Sequence, residues 1–405
     1  MVIALVDFYV WKGIGAIITG QRARSLARGI HIFSMVVTLT GIIGTWITFS
    51  AGLSNMGLFT NLIMGLTFSF FVAKVVFVSF LLMEDIFRGG SYLVQKTGNL
   101  VNPESAAAEL PSRRKFIGQL GLVMAAIPFS SLMYGVLKGK YDFKLHKITL
   151  KFPDLPEAFN GMTIAQISDI HSGSFDSIAG VKSGVDLVQK QNPDMILFTG
   201  DLVNNVAEEI DPYIELFKGL NAPLGKYSVL GNHDYGEYYD WPSQAAKDQN
   251  LEGVKGKHGD MGFRLLNNEN LTIERNGQKI RLAGVENWGK PPFPQYGDLD
   301  KALEGVDGDD FTILMSHDPN HWDAKVLPHP KKIHLTLSGH THGAQMGVEI
   351  PGFRWTPVQY FYKRWLGLYK EKDQYAYVNR GFGYIGYPGR FGIWPEVTLF
   401  ELKRA

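Results

Sequence analysis

From residue 29 to residue 73 the chain carries no charged side chain, and the first 85 residues carry only eight. Those eight are Asp7, Lys12, Arg22, Arg24, Arg28, Lys74, Glu84 and Asp85. Crossing the hydrocarbon core of a bilayer takes ~20 mostly apolar residues in a helix. Three segments meet that length: about Gly29 to Ser50, Leu58 to Met83, and Phe116 to Leu137. An earlier segment, Val2 to Thr19, is interrupted by Asp7 and Lys12 and is read as a further span, with a helix lying in the interface as the alternative. Buried helices of a water-soluble protein seldom run this long without charge. Lys74 falls inside a span, where ions are costly and usually paired. Snorkelling toward a helix end is the simpler expectation, with Asp7 as a conceivable partner.

Short loops rich in Lys and Arg stay on the cytoplasmic side. The loop after the first segment holds Arg22, Arg24 and Arg28, and residues 51 to 57 hold none. The next loop holds Arg88, Lys96, Arg113, Arg114 and Lys115. This alternation predicts a multi-pass protein of the cell (inner) membrane whose C-terminal domain lies on the outer, periplasmic face. Lys138, Lys140, Lys144 and Lys147, just past the last span, argue the other way. Ser112-Arg113-Arg114-Lys115-Phe116-Ile117 resembles a twin-arginine export signal and reads equally as a basic flank of a membrane helix. The expected organisation is a transmembrane helical region with a polar linker over 1–110, holding about three spans. Residues 111–145 supply the basic flank, the last span and a second linker, and residues 146–405 a soluble domain.

Net charge is +1 and no long basic run occurs, so no nucleic-acid partner is expected. The lipid bilayer is the expected partner, and oligomeric state is not legible. The absence of cysteine excludes disulfides, thiolate ligands and a Cys nucleophile. Any metal must be held by His, Asp, Glu or Asn.

Beyond residue 147, β-rich runs alternate with helical patterns, which predicts an α/β layered domain. Runs such as Ile196-Leu197-Phe198 suit strands buried on both faces. Asn276-Gly277 between two such runs marks a hairpin. Five short motifs fall where strands give way to loops: Asp169-Ile170-His171, Gly200-Asp201, Gly231-Asn232-His233-Asp234, Ser316-His317-Asp318 and Gly339-His340-Thr341-His342. Sites in open α/β sheets gather beyond the carboxyl ends of strands. Strand alternation puts Asp169 and His171, and likewise His340 and His342, on a common side. The candidate ligands are Asp169, His171, Asp201, Asn232, His317, His340 and His342. Seven are too many for one tetrahedral ion and suit two. Paired ions can clamp an in-line displacement at phosphorus.

In this order the five motifs resemble those of the calcineurin-like metallophosphoesterase superfamily, closest to its membrane-anchored bacterial branch. They cover roughly residues 160 to 345, and the likeness continues through Asn379-Arg380-Gly381 and Arg390-Phe391-Gly392. The resemblance implies a layered β-sandwich flanked by helices. It implies one divalent ion on Asp169, His171, Asp201 and His342, and a second on Asp201, Asn232, His317 and His340. A hydroxide between the ions would attack phosphorus. His233 would act as general acid, a duty suited to an imidazole pKa near ~6.5. The mixed N/O donors fit Mn, Fe, Zn or Ni.

Asp234 and Asp318 are placed either behind the histidines or as turn caps. Arg380 and Arg390 are candidates for substrate contact, since guanidinium suits phosphate oxygens. His31, His146, His258, His321, His329 and His334 match no motif and read as packing or surface residues. Residues 240 to 260, behind Tyr235, Tyr238 and Tyr239, are the least ordered-looking stretch and a candidate lid. The expected activity is hydrolysis of a phosphomonoester or phosphodiester, with lipid-linked and nucleotide-sugar substrates both open. The alternatives are a pyrophosphatase of UDP-linked acyl-sugars and a catalytically silent metal-binding sensor.

Overall fold

A computed structural model describes residues 2–50, 57–99, 111–291 and 293–405. They fall into two compact units, one of Met1–Ile47 with Thr60–Tyr134, the other containing Gly135–Ala405.

The first unit is helical: α1 Val2–Ile17, α2 Gln21–Ser50, α3 Leu58–Asn99 and α4 Pro111–Leu137. By length and apolarity, α2, α3 and α4 can each cross a membrane. With 16 residues, α1 is shorter than the ~20 that an upright span needs. It nevertheless joins the bundle, since Val10, Ile14 and Ile17 pack with Phe77, Val78 and Leu81 of α3 and Ala125 of α4. The large apolar side chains exposed along α2, such as Phe33, Leu39 and Trp46, suit contact with lipid.

Three expectations change here. Lys74 does not snorkel. Its Nζ lies 2.7 Å from Asp7, both side chains being nearly buried. Lys74 sits about 24 Å along the axis from the start of α3, too far for a lysine stem to reach the end, so a carboxylate must meet it inside. Second, α3 does not stop at Met83. The charges from Glu84 onward end its apolar stretch, but they do not break helical geometry. Of the linker expected before residue 111, residues 100–110 lie outside the described residues. Third, the short linker expected over 138–147 is part of the second unit. Gly139–Tyr141 forms a 3-10 turn, and β1, Lys144–Phe152, begins at once. At the head of α4, Arg113 lies over the Phe87 ring and Arg114 reaches Glu84 at 3.9 Å, so both arginines have partners on α3.

In the second unit, the strands are β1, β2 Thr163–Ile167, β3 Met195–Thr199, β4 Lys226–Val229, β5 Arg264–Leu265, β6 Glu269–Arg275 and β7 Gln278–Gly284. There follow β8 Thr312–Met315, β9 Leu335–Ser338, β10 Val348–Ile350, β11 Phe353–Trp355, β12 Gly367–Glu371, β13 Gln374–Val378 and β14 Glu396–Arg404. One sheet has the order β1-β14-β2-β3-β4-β5, the other β12-β13-β9-β8-β7-β6. β2 to β5 run parallel, as do β7, β8, β9 and β13. The two sheets share one core. Ile164, Met195 and Leu197 from the first meet Leu282, Ile313 and Leu335 from the second. Alternate residues face outward. Ala165, Ile196 and Phe198 pack with α5, Ile178–Gln189, α6, Ile214–Lys218, and α7, Gln244–Asp260. Ala283 and Leu314 pack toward α8, Leu299–Ala302, and Trp322. Burial on both faces explains the unbroken apolar runs, and the result is the expected sandwich flanked by helices.

The hairpin at Asn276-Gly277 is present, with both residues left-handed and Arg275 paired to Gln278. The candidate lid is instead largely α7, capped by the Ser243 side chain, which accepts from Ala246 N.

Candidate metal centre

The five motifs begin where β2, β3, β4, β8 and β9 end, at the carboxyl end of parallel strands in both sheets. Their convergence does not rest on strand alternation. β2 stops at Ile167 and β9 at Ser338, short of the residues concerned. Instead Asp169, His171, Asp201, His340 and His342 all take positive φ, between 48° and 74°. Left-handed backbone at non-glycine residues costs of order 1 kcal/mol each and persists only where surroundings enforce it. Here backbone bonds between loops do so: Asp169 N donates to Gly200 O (2.9 Å) and His171 N to Asp201 O (3.1 Å). Close approach also demands glycine at two points. A Cβ on Gly231 would lie 2.2 Å from Asp201 Oδ1, and one on Gly339 2.1 Å from Asp169 Oδ2.

The structure brings together donor atoms of Asp169, His171, Asp201 and His342, all within 4.8 Å of one another. Asp201, His317 and His340 form a second such group that shares Asp201. Asn232 joins this side, its Oδ1 lying 2.7 Å from His340 Nδ1. The tautomers follow from the far side of each ring. His317 Nδ1 donates to Thr199 O (2.7 Å), leaving Nε2 toward Asp201 Oδ2 at 3.1 Å. His171 Nδ1 donates to Asn204 Oδ1 (3.2 Å), leaving Nε2 3.0 Å from His342 Nε2. Asp169 Oδ2 is buried without a hydrogen-bond partner. Buried polar atoms are almost always satisfied, so this donor set fits a pair of cations.

Charge within the site is strongly coupled. Burial works against ionising Asp201, but His317 and His233 outweigh it and hold the carboxyl well below its usual range. Burial likewise opposes a charged His317, and Asp201 overcomes it, lifting the imidazole to about 10. His233 goes the other way, pushed down to about 4, mainly by burial. Its Nδ1 donates to Asn204 O (2.9 Å), so the neutral ring turns an unprotonated Nε2 to the site.

Arg380 and Arg390 are not presented for substrate. Arg380 is buried, with Nη2 2.6 Å from Glu349 Oε1 and Nη1 on Glu396. Arg390 is fully buried; its Nε donates to Gly383 O (2.7 Å) and its Nη2 lies 3.1 Å from His342 Nδ1. It braces a candidate ligand from behind. Asp234 serves loops, whereas Asp318 serves a loop and also stands behind a histidine, its Oδ2 lying 3.9 Å from His340 Nε2. Asp234 accepts from the backbone N–H groups of Asp201, Leu202 and Gly231 at 2.8–3.0 Å. Asp318 accepts from Asn320 N (2.8 Å) and Lys290 N (3.2 Å).

Sequence reasoning missed Asn204, which holds His171 by its side chain and His233 by its carbonyl, and Tyr362, whose hydroxyl lies 2.8 Å from His340 Nε2. It also passed over Tyr238 as a site residue; its ring packs 4.6 Å from His233 and its hydroxyl accepts from Asn232. Asn204 was within sight, three residues past Asp201.

Residues 1–140 match a family described as "Probable Calcineurin-like phosphoesterase, transmembrane domain", and residues 162–344 one described as "Calcineurin-like phosphoesterase". The chain is 31% identical over 300 residues to the uncharacterized metallophosphoesterase YkuE of Bacillus subtilis, covering 72% of this chain and 98% of that protein. It is 28% identical over 321 residues to a transmembrane protein with metallophosphoesterase domain from Danio rerio, covering 77% and 69%. A Helicobacter pylori metallophosphoesterase, also uncharacterized, matches at 27% identity over 368 residues, 89% of each chain.

Proposed function

The chain belongs to the calcineurin-like metallophosphoesterases, as a membrane-associated member, and from that premise we propose that it is a two-ion phosphoester hydrolase working at the outer face of the membrane. The observation that carries this reading is the pair of donor clusters joined at Asp201. In this proposal Asp169, His171, Asp201 and His342 hold one divalent ion, and Asp201, Asn232, His317 and His340 the other. When bound, the ions lower the pKa of water and offset charge on the phosphoryl oxygens.

The chain's own residues do the rest. Asp234 fixes the loops that carry Asp201 and Asn232. Asn204 holds the rings of His171 and His233 at their Nδ1 atoms. His233 is neutral at rest, with Nε2 unprotonated. A phosphoryl group arriving opposite Nε2 raises its pKa again, because nearby negative charge favours imidazolium. Nε2 then takes up a proton from solvent, and His233 passes it to the leaving oxygen. Two intact donor clusters and an intact His233 favour this over a silent sensor.

The test uses full-length protein, purified in detergent, stripped of metal and reloaded with Mn²⁺, Fe²⁺, Zn²⁺ or Ni²⁺. Hydrolysis of bis-p-nitrophenyl phosphate and p-nitrophenyl phosphate is followed beside metal content. Asp201→Asn is expected to lose both bound metal and turnover. His233→Ala is expected to keep its metal and lose about 10²- to 10⁴-fold in kcat, the usual worth of a positioned acid. Two ions bound with no turnover of either ester would sink the hydrolase reading.

A further inference from the structure

One surface feature plays no part in the metal centre. β10 and β11 form a separate two-stranded ribbon, turning at Pro351-Gly352. Its pairing is antiparallel, with Val348 opposite Trp355, Glu349 opposite Arg354 and Ile350 opposite Phe353. Directly opposed residues share a face. One face therefore consists of Val348, Ile350, Phe353 and Trp355. The other holds Glu349, which binds Arg380 and so fixes the ribbon to β14 through Glu396. Tyr360 extends the apolar face, accepting a hydrogen bond from Trp355 Nε1 (3.3 Å). Phe361 follows it. These six side chains are between 39% (Trp355) and 78% (Phe361) exposed.

A contiguous apolar patch of this kind calls for an occupant, and two observations name it. The first is where the ribbon is attached. Gly347, directly before β10, donates its N–H to Phe391 O (2.9 Å), and Phe391 N donates to Gln345 O (2.8 Å). Arg390, the preceding residue, donates its N–H to Gly135 O (3.3 Å), in the last turn of α4. That helix is a candidate span ending at Leu137. Two backbone bonds thus separate the ribbon from the last turn of α4, the end of a candidate span. The second is composition. Tyr, Trp and Phe beside aliphatic side chains suit the headgroup level, where amphipathic rings concentrate.

We propose that the face of Val348, Ile350, Phe353, Trp355, Tyr360 and Phe361 docks into the headgroup layer of the lipid bilayer and brings the metal centre to phosphoester headgroups of bilayer-resident lipids. The second half of this statement rests on the hydrolase reading above. The path between surface and centre is short, since Tyr362, next to Phe361, places its hydroxyl on His340.

Because the chain has no cysteine, a single one can be introduced and labelled without interference. Phe353→Cys and Ile350→Cys, each in the full-length chain, are labelled with an environment-sensitive fluorophore. They are reconstituted into bilayers of phosphatidylethanolamine and phosphatidylglycerol, with Glu252→Cys on α7 as the water-exposed reference. Both ribbon labels are expected to shift to the blue, and to be quenched several-fold more by headgroup-proximal spin-labelled lipid than the reference. Quenching by aqueous iodide equal to the reference would overturn the proposal. Shielding that disappears when empty lipid dilutes the protein would also overturn it, by assigning the face to a second copy. Turnover of bis-p-nitrophenyl phosphate in the same samples reports separately. An inactive protein with a docked ribbon retires the hydrolase and leaves the surface, whereas an active protein with a wet ribbon retires the surface.

Discussion

His258 takes no part in the metal centre, yet it sets part of the domain's response to acid. Burial pushes its imidazole down to about 3, its Nδ1 lies 2.8 Å from Ser228 Oγ, and its ring stacks on Phe198. An unfolded histidine titrates near ~6.5, so the folded state binds the proton less readily. Its stabilising contribution is complete above that pH and is lost as pH falls toward the folded value. The loss amounts to about 1.4 kcal/mol per pH unit, or roughly 2 kcal/mol between pH 7 and pH 5. Denaturant unfolding at these two pH values is expected to show a loss about 2 kcal/mol larger in wild type than in His258→Gln. Equal losses in both proteins would show that the acid response lies elsewhere; His321, buried and also pushed down to about 3, contributes in the same direction. At this scale the sequence was legible where residue type alone carries the chemistry, as in the five motifs. It was not legible where position in space decides. Nothing in Asp201-Leu202-Val203-Asn204 says that Asn204 will meet two histidines, and the left-handed turns at Asp169 or His342 follow from loop-to-loop bonds.

Among elements, the strands of the sandwich were read from their apolar runs, whereas α7 was not recognised as a helix. The reason lies in its buried stripe, Asn250, Val254 and His258, spaced four apart with only one apolar member. A periodicity search sees apolar side chains, and here two polar ones fill the inner face with their own partners, Asn250 bonding Ala207 N and Asn205 O. The ribbon escaped notice for a related reason, as its apolar face stays largely exposed rather than joining a core. Beside the backbone bond from Gly347 to Phe391, Arg380 holds it, between Glu349 and Glu396. Arg380→Met would leave Glu396 buried without its cation, a change that typically costs about 3–5 kcal/mol. Adding Glu396→Gln is expected to restore a substantial part of that loss. A double-mutant cycle by thermal unfolding measures the coupling, and strictly additive losses would mean that the pair does not hold the ribbon.

For the molecule as a whole, the charge alternation of the membrane loops predicts that the C-terminal domain lies outside. Of the four lysines that argue against this, Lys140 is buried against Asp176 and Lys144 pairs with Asp142 at 2.8 Å. In the folded domain two of those charges therefore have a carboxylate partner. Glu252→Cys is expected to react with a membrane-impermeant maleimide in intact cells; reaction only after lysis would place the domain inside. The sheet order carries a consequence for biosynthesis. β1, the strand that follows the last membrane helix, pairs within its sheet with β14, 252 residues further along. A nascent chain on the ribosome exposes β1 long before that partner exists, and the strand next in sequence to the last apolar helix must wait unpaired while everything between is translated. A transcript cut short before β14 leaves β1 unpaired and the β14-facing edge of β2 open, so a truncated product carries a mark for proteases that β14 covers in the finished one.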